Sequence, residues 1–219
     1  LHGDSLTIDL SKYRIVDLTA EILPGIRSGE RYMHGSVRRR FEVSRFVYSA
    51  DNTYMNWVET ETHVGTHVEC PSHYLENGND VASLPLETFM GDAVAVNLKS
   101  KRAQPITPID LGDAGVRKGD IVLMWSGWSG EERPFISVEA AEWLLKARVK
   151  MVGVDDSIGV EAPGSMATHD FLLRNDIPII EGLVNLDGLR GNRFLFIALP
   201  LRVRGLDSSW VRAIALEGL

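Results

Sequence analysis

The stretch from His63 to His73 constrains this chain more than any other. It reads His63-Val-Gly65-Thr66-His67-Val-Glu69-Cys70-Pro71-Ser72-His73 and holds three of the chain's six histidines. Neutral imidazole nitrogens and a carboxylate oxygen are the donors that a first-row divalent cation takes. The spacing then limits the backbone. On a helix His63 and His67 would share a face, but Val64, Gly65, Thr66 and Val68 are poor helix formers. On a straight strand His63, His67, Glu69 and His73 share a parity, yet His63 and His67 would stand roughly 13 Å apart. A bent segment resolves the conflict. Gly65 can take a backbone conformation closed to other residues, and Pro71 ends regular pairing. The expectation is a strand that breaks into a loop and folds its donors inward.

Patterning along the rest of the chain predicts an α/β fold. Strands are expected over Tyr13–Leu18, Phe41–Tyr48, Asn52–Glu61, Ala93–Leu98 and Asp120–Trp125. The second and third are expected to pair as a hairpin turning at Ser49–Asp51. The near-continuous apolar run of Asp120–Trp125 is that of a strand covered on both faces. Ser137 is a helix N-cap residue, and Ala141, Leu144, Leu145 and Arg148 follow at helical steps, predicting an amphipathic helix over 138–148. Lys150–Val154 then reads as a buried strand, so strand, helix and strand imply a crossover and a parallel pair. A helix over Ser165–Arg174 carries His169, and a strand over Ile177–Leu183 carries Glu181. The last strands are expected over Phe194–Val203 and Trp210–Leu216. With no internal repeat or linker, residues 1–219 are expected to form a single domain with a mixed or parallel β core and flanking helices.

Composition excludes some functions. The net charge of -7 argues against nucleic acid as a partner. No apolar run approaches the roughly 18 residues of a membrane span; the longest, Phe194–Val203, is interrupted by Pro200 and Arg202. The single cysteine, Cys70, excludes an intramolecular disulfide and fits a reducing compartment, so the cytoplasm is expected. The chain starts at Leu1 rather than Met, which leaves a removed signal peptide open.

Other residues carry weaker signals. Glu181 lies in an apolar strand, where a carboxylate needs a cation or an imidazolium. Arg27, Arg31, Arg38, Arg39 and Arg40 make residues 26–40 basic, either a solvated loop or a flap that brings a cation to an acidic substrate. Trp125-Ser-Gly-Trp128-Ser-Gly follows a buried strand and serves either as the wall of an aromatic pocket or as packing. Cys70 reads as a small packing residue.

The first motif resembles that of the cyclase-like metal-dependent hydrolases, the family of bacterial kynurenine formamidase and isatin hydrolase. Its pattern is His-x-Gly-Thr-His-x-Asp-x-Pro-x-His, matched here by His63, Gly65, Thr66, His67, Pro71 and His73, with Glu69 in place of the Asp. An Asp-Leu-Thr opening (Asp17, Leu18, Thr19) is shared, as is the layout His169-Asp-Phe-Leu-Leu followed by Glu181 and Asn185-Leu186. The resemblance implies the swivelling β/α fold of that family and a metal-dependent hydrolase acting on a small-molecule amide or cyclic amide, an arylformamidase-like activity on C–N bonds other than peptide bonds. It implies His63, His67, Glu69, His169 and Glu181 as metal ligands and His73 as the acid–base residue. From its position alone His73 could also be a third imidazole ligand. The divalent metal is zinc or manganese, one or two ions per chain. Glu in place of Asp extends the carboxylate by about 1.5 Å and leaves the number of ions open. A cyclase or dehydratase, or a metal-stabilised binding protein without turnover, are the rival functions. Family members suggest a homo-oligomer, a dimer or tetramer, acting on a small molecule.

Overall fold

A computed structural model describes residues 9–23 and 41–218 of the protein. In chain order the strands are β1 (Tyr13–Asp17), β2 (Phe41–Val47), β3 (Tyr54–Thr60), β4 (His67–Glu69), β5 (Met90–Asn97), β6 (Pro105–Ile106), β7 (Ile121–Trp125), β8 (Phe135–Ile136), β9 (Met151–Asp155), β10 (Ile179–Leu183), β11 (Arg193–Ile197), β12 (Ser208–Trp210) and β13 (Ile214–Gly218). The helices are α1 (Pro108–Asp113), α2 (Val138–Ala147) and α3 (Ala167–Leu173). The basic segment with Arg27, Arg31, Arg38, Arg39 and Arg40 lies outside the described residues.

The apolar runs build the centre of the molecule. β5, β7, β9 and β10 are parallel neighbours in a nine-stranded mixed sheet, ordered β1-β13-β11-β5-β7-β9-β10-β4-β12. Alternate residues of these strands enter two different cores. Ile121, Leu123, Met151 and Ile180 pack on one face, and Val122, Met124, Val152 and Ile179 pack on the other against the helices. This two-sided burial explains why the strands read as continuous apolar runs rather than alternating ones. Helix α2 forms as its pattern predicts: Ser137 accepts from the Ala140 N–H at 3.1 Å, and Arg148 ends the helix with a left-handed backbone. The expected β7–α2–β9 parallel unit is present.

Two expected strands at the C-terminus are corrected. Phe194–Val203 is a strand only as far as Ile197, because Pro200 cannot donate to a ladder and the chain turns away. Trp210–Leu216 is two strands, β12 and β13, broken at residues 211–213. They sit far apart in the strand order. Seven strand spacings would separate them by roughly 34 Å in a flat sheet, while the short link between them spans at most about 14 Å. The sheet is therefore curled until its ends approach. Cross-ties mark the closure: the Leu18 N–H donates to Ala213 O at 2.9 Å and the Val184 N–H to Leu18 O at 3.1 Å.

The β2–β3 hairpin stands apart from this sheet, paired from Phe41↔Thr60 to Val47↔Tyr54. Trp125 and Trp128 settle as packing. Trp128 Nε1 donates to Lys99 O at 2.8 Å, and the Lys99 ammonium sits over Trp125.

Gly153 lies where β9 must pass between two neighbours without a side chain. A Cβ there would meet Ile180 Cγ2 and Leu123 Cδ2 at 2.5 Å. Gly153→Ala is expected to lower stability by about 1–3 kcal/mol through overpacking. Denaturant unfolding checks this, and an unchanged midpoint would mean that the three strands can spread without cost.

Candidate metal centre

The centre is assembled by a strand of only three residues, β4. β4 runs between β10 and β12, antiparallel to both. Side chains alternate along a strand, so His67 and Glu69 share a face while Val68 enters the opposite core. The register sets Glu181 directly across from His67, and Ile179 across from Glu69. Glu181 therefore arrives on the same face. Gly65 bends the chain just before β4 with φ +66°, as the spacing of the histidines requires. Pro71–His73 form a single 3-10 turn just after it. Thr66 fastens the bend: its hydroxyl donates to Gly182 O at 2.6 Å and accepts from the Ala20 N–H at 2.8 Å.

All six residues marked out in the sequence come together here. Glu69, 3% exposed, is ringed by imidazoles. Its Oε1 is 3.0 Å from His63 Nδ1 and 3.7 Å from both His67 Nε2 and His73 Nε2, and its Oε2 is 3.2 Å from His169 Nε2. Two sets of donors, His63–Glu69–His73 and His67–Glu69–Glu181, each converge within 4.8 Å and share Glu69. Both could hold a divalent cation.

The hydrogen bonds fix how the imidazoles are presented. Gly65 O is 2.9 Å from His67 Nδ1; a carbonyl only accepts, so Nδ1 carries the proton and Nε2 offers a lone pair. That Nε2 is buried and has no hydrogen-bond partner, and Glu69 Oε2 is likewise buried without one of sound geometry. Buried polar atoms are otherwise almost always satisfied. A buried imidazole lone pair facing two carboxylates is the donor set a divalent cation takes.

Two carboxylates that the sequence did not single out complete the site. Glu161 Oε1 lies 2.7 Å from His169 Nδ1 and accepts from the His169 backbone N–H at 2.9 Å, while Oε2 accepts from the Thr168 N–H at 3.0 Å. It thus caps α3 and turns His169 Nε2 toward Glu69. Asp207 Oδ2 lies 2.8 Å from His63 Nε2 and 3.2 Å from His73 Nδ1. Outer carboxylates of this kind set the tautomer and basicity of metal-binding histidines. Neither had a motif to announce it: Glu161 sits in a loop and Asp207 is 144 residues from His63.

Charge in the site is strongly perturbed. Burial opposes ionisation of Glu69, but His169, His63 and His67 outweigh it and hold the carboxyl well below its usual range. Burial also opposes the His169 imidazolium, yet Glu161 and Glu69 push its pKa up to about 10. His63 moves up for the same reason, through Glu69 and Asp207. Glu181 moves up, because burial and then the Glu69 charge disfavour its ionisation. Burial pushes the Cys70 thiol up to about 12, which leaves it a packing residue.

A cavity of about 610 Å³ opens onto the centre and is lined by His63, His67, His169 and Glu181 among others. His73 stands outside that lining, its side chain 31% exposed beside Asp207.

The fold and this constellation define a class, and comparison with known proteins agrees. The Cyclase family model matches residues 16–162, and the chain belongs to that family. It is 30% identical over 216 residues to a kynurenine formamidase of Erythrobacter litoralis, covering 94% of this chain and 95% of that one. It is 31% identical to cyclase-like protein 3 of Oryza sativa, covering 99% of this chain and 82% of that one. Among solved structures, isatin hydrolase A from Labrenzia aggregata, bound to benzyl benzoate, superposes with a TM-score of 0.81 at 21% identity, over 95% of both chains. That likeness confirms the cyclase-like fold.

Glu161→Gln removes the charge that orients His169 while keeping one acceptor for the α3 backbone. It is expected to weaken divalent-metal affinity about 10- to 100-fold. Chelator competition measures this, and an unchanged affinity would remove His169 from the ligand set.

Proposed function

We propose that this protein is a metal-dependent hydrolase of a small-molecule amide or cyclic amide, an arylformamidase-like enzyme with zinc or manganese at its centre. One observation carries the reading: the buried, unpartnered Nε2 of His67 faces Glu69 and Glu181 at the edge of a cavity. His63, His67, Glu69, His169 and Glu181 would hold the metal. The set without His73, His67–Glu69–Glu181, supports one ion, and His63 and His169, each beside Glu69, are the donors left for a second. A cation held there would supply Lewis acidity, lowering the pKa of a water and polarising the scissile carbonyl.

The remaining steps belong to the chain. His73 takes the water's proton and returns it to the leaving nitrogen. Asp207 bridges His73 and His63, fixing the His73 ring so that Nε2 points at Glu69. Partial exposure of the His73 side chain lets it exchange that proton with solvent. The apolar wall of Ile22, Val154 and Ile158 excludes bulk water from the cavity.

The base and ligand roles separate in a paired experiment. His67→Ala is expected to lose metal and activity together. His73→Ala is expected to keep metal near wild type while turnover of formanilide or isatin falls by about 10²–10⁴. Part of that activity should return at high pH. Elemental analysis beside a pH–rate profile decides it: loss of metal from His73→Ala would make His73 a ligand. Wild type fully loaded yet inert on amides and lactams would overturn the hydrolase reading.

A single curled sheet with a core on each face supports treating residues 1–219 as one domain. No described helix is long and apolar enough to cross a membrane. The lone buried cysteine supports a cytoplasmic setting. The β2–β3 hairpin supports a homo-oligomer. Tyr54 is 68% and Trp57 71% exposed, and aromatic exposure of this size marks a contact surface. Light scattering is expected to give a dimer mass or larger, and Trp57→Lys to shift it toward monomer. A monomer mass at micromolar wild-type concentration would end this part of the reading.

A further inference from the structure

Glu161 orients His169, yet it lies in a loop. Residues 156–161 lead from the end of β9 toward α3, and among the described residues their one pairing with a strand is the bridge Phe135↔Gly159. A carboxylate on such a loop holds its place only as well as side-chain bonds and packing lock the loop.

The lock begins at Ser157, with a buried polar clamp. Its Oγ donates to Asp155 Oδ1 at 2.5 Å and accepts from the Ser126 N–H at 2.7 Å and the Gly127 N–H at 2.9 Å. The one proton and both lone pairs of the hydroxyl are therefore in use. Ser126 Oγ replies by donating to Ser157 O at 2.7 Å, and accepts from the Trp128 N–H at 3.2 Å. Ser126 is 2% and Ser157 7% exposed, so water does not compete for these bonds. A turn after Asp155 would need only the bond from the Ser157 N–H to Asp155 Oδ1, made here at 2.9 Å. The hydroxyl adds something else, a tie to the segment that follows β7. Those strands do not need it: β7 and β9 are already joined by a ladder from Ile121↔Met151 to Met124↔Val154.

From the clamp the loop is fastened step by step toward the ligand. Ile158 enters the core under the helices. The Gly159 N–H donates to Pro134 O at 2.8 Å and Gly159 O accepts from the Ile136 N–H at 3.0 Å. A Cβ on Gly159 would lie 3.1 Å from Phe135 Cβ, so the loop presses closely on β8. Val160 O accepts from Thr168 Oγ1 at 2.7 Å, and Glu161 then meets His169.

We propose that Ser157, held by Asp155, is a positioning residue of the metal centre: it fixes the loop that carries Glu161 and so the direction of His169 Nε2. Metal affinity as a readout rests on the metal centre proposed above, whereas the seat of His169 can be read without metal. Ser157 also has a plain structural alternative, a staple between the ends of β7 and β9, and the two roles differ in what His169 feels.

The first measurement is histidine ring NMR on the metal-free full chain. Ser157→Ala is expected to move the His169 signals in the same direction as Glu161→Gln, and to leave those of His67, whose Nδ1 is held by Gly65 O, in place. The second is zinc affinity by chelator competition. Ser157→Ala is expected to weaken it about 10-fold, the low end for groups that orient metal-binding histidines. Combined with Glu161→Gln it should add no further loss, because two residues acting through one contact are not additive. A lower unfolding midpoint with unchanged His169 signals would make Ser157 a staple and overturn the positioning role. So would equal movement of His67 and His169, or losses in affinity that multiply in the double variant. If Ser157→Ala does not fold, Asp155→Ala decides in its place: His169 signals displaced as in Glu161→Gln support the role, and unchanged signals overturn it. Wild type that takes up no zinc or manganese would sink the metal reading, and the His169 signals would then decide the role of Ser157 alone.

Discussion

A carboxylate buried to 3% exposure needs opposite charge around it, and Glu69 draws that charge from across the whole fold. Removing an ionised carboxylate from water without compensation costs far more than a domain's net stability. His63 and His73 come from the turns flanking β4, His67 from β4 itself, and His169 from helix α3, far along the chain. Without a cation His169 and His63 supply that charge, and their pKa values rise while that of Glu69 falls. The second carboxylate, Glu181, finds too little positive charge left over and moves the other way. A divalent ion changes this balance. It supplies the charge directly, frees the imidazole lone pairs and favours ionised Glu181, so binding releases protons. The polar cluster is thus held together in either state, but only the metal-bound state satisfies His67 Nε2.

The curl of the sheet is what allows so many elements to meet. β4 is three residues long and would be a poor edge strand alone. It is held because β10 and β12 flank it, and β12 can reach it only because the sheet turns back on itself between β12 and β13. That same closure delivers Asp207, one residue before β12, to His63 and His73. Gly182 shows how tight the seam is. A Cβ there would lie 2.7 Å from Gly65 O, the carbonyl that sets the His67 tautomer.

Much of this was legible in the sequence, for local reasons. The His63–His73 segment carries its donors, hinge and terminating proline within one short stretch. The apolar runs around β7 and β9 and the capped helix between them announce a parallel layer. What was not legible depends on distant pairing. Glu161 and Asp207 are ordinary acidic loop residues until the fold places them on histidines. The C-terminal run from Phe194 was read as one strand because apolar residues continue past Ile197. Leu199, Leu201 and Val203 instead stand exposed in the following loop. Composition alone could not show that the ladder ends there.

The substitution at position 69 gains a physical account from this geometry. Relatives resembled by the motif carry Asp there, and the added methylene extends the carboxylate by about 1.5 Å. The backbone cannot shift to absorb it, because Glu69 is paired on both sides, with Ile179 and with Ser208. The extra length must therefore be taken up in the site itself. It is: one oxygen reaches His63 at 3.0 Å and the other His169 at 3.2 Å, on two different sides. A carboxylate spread between two imidazoles in this way can serve donors on two sides. The longer arm is thus compatible with two ions. It requires His169 to hold its place against the carboxylate, which is the position that Glu161 secures from behind.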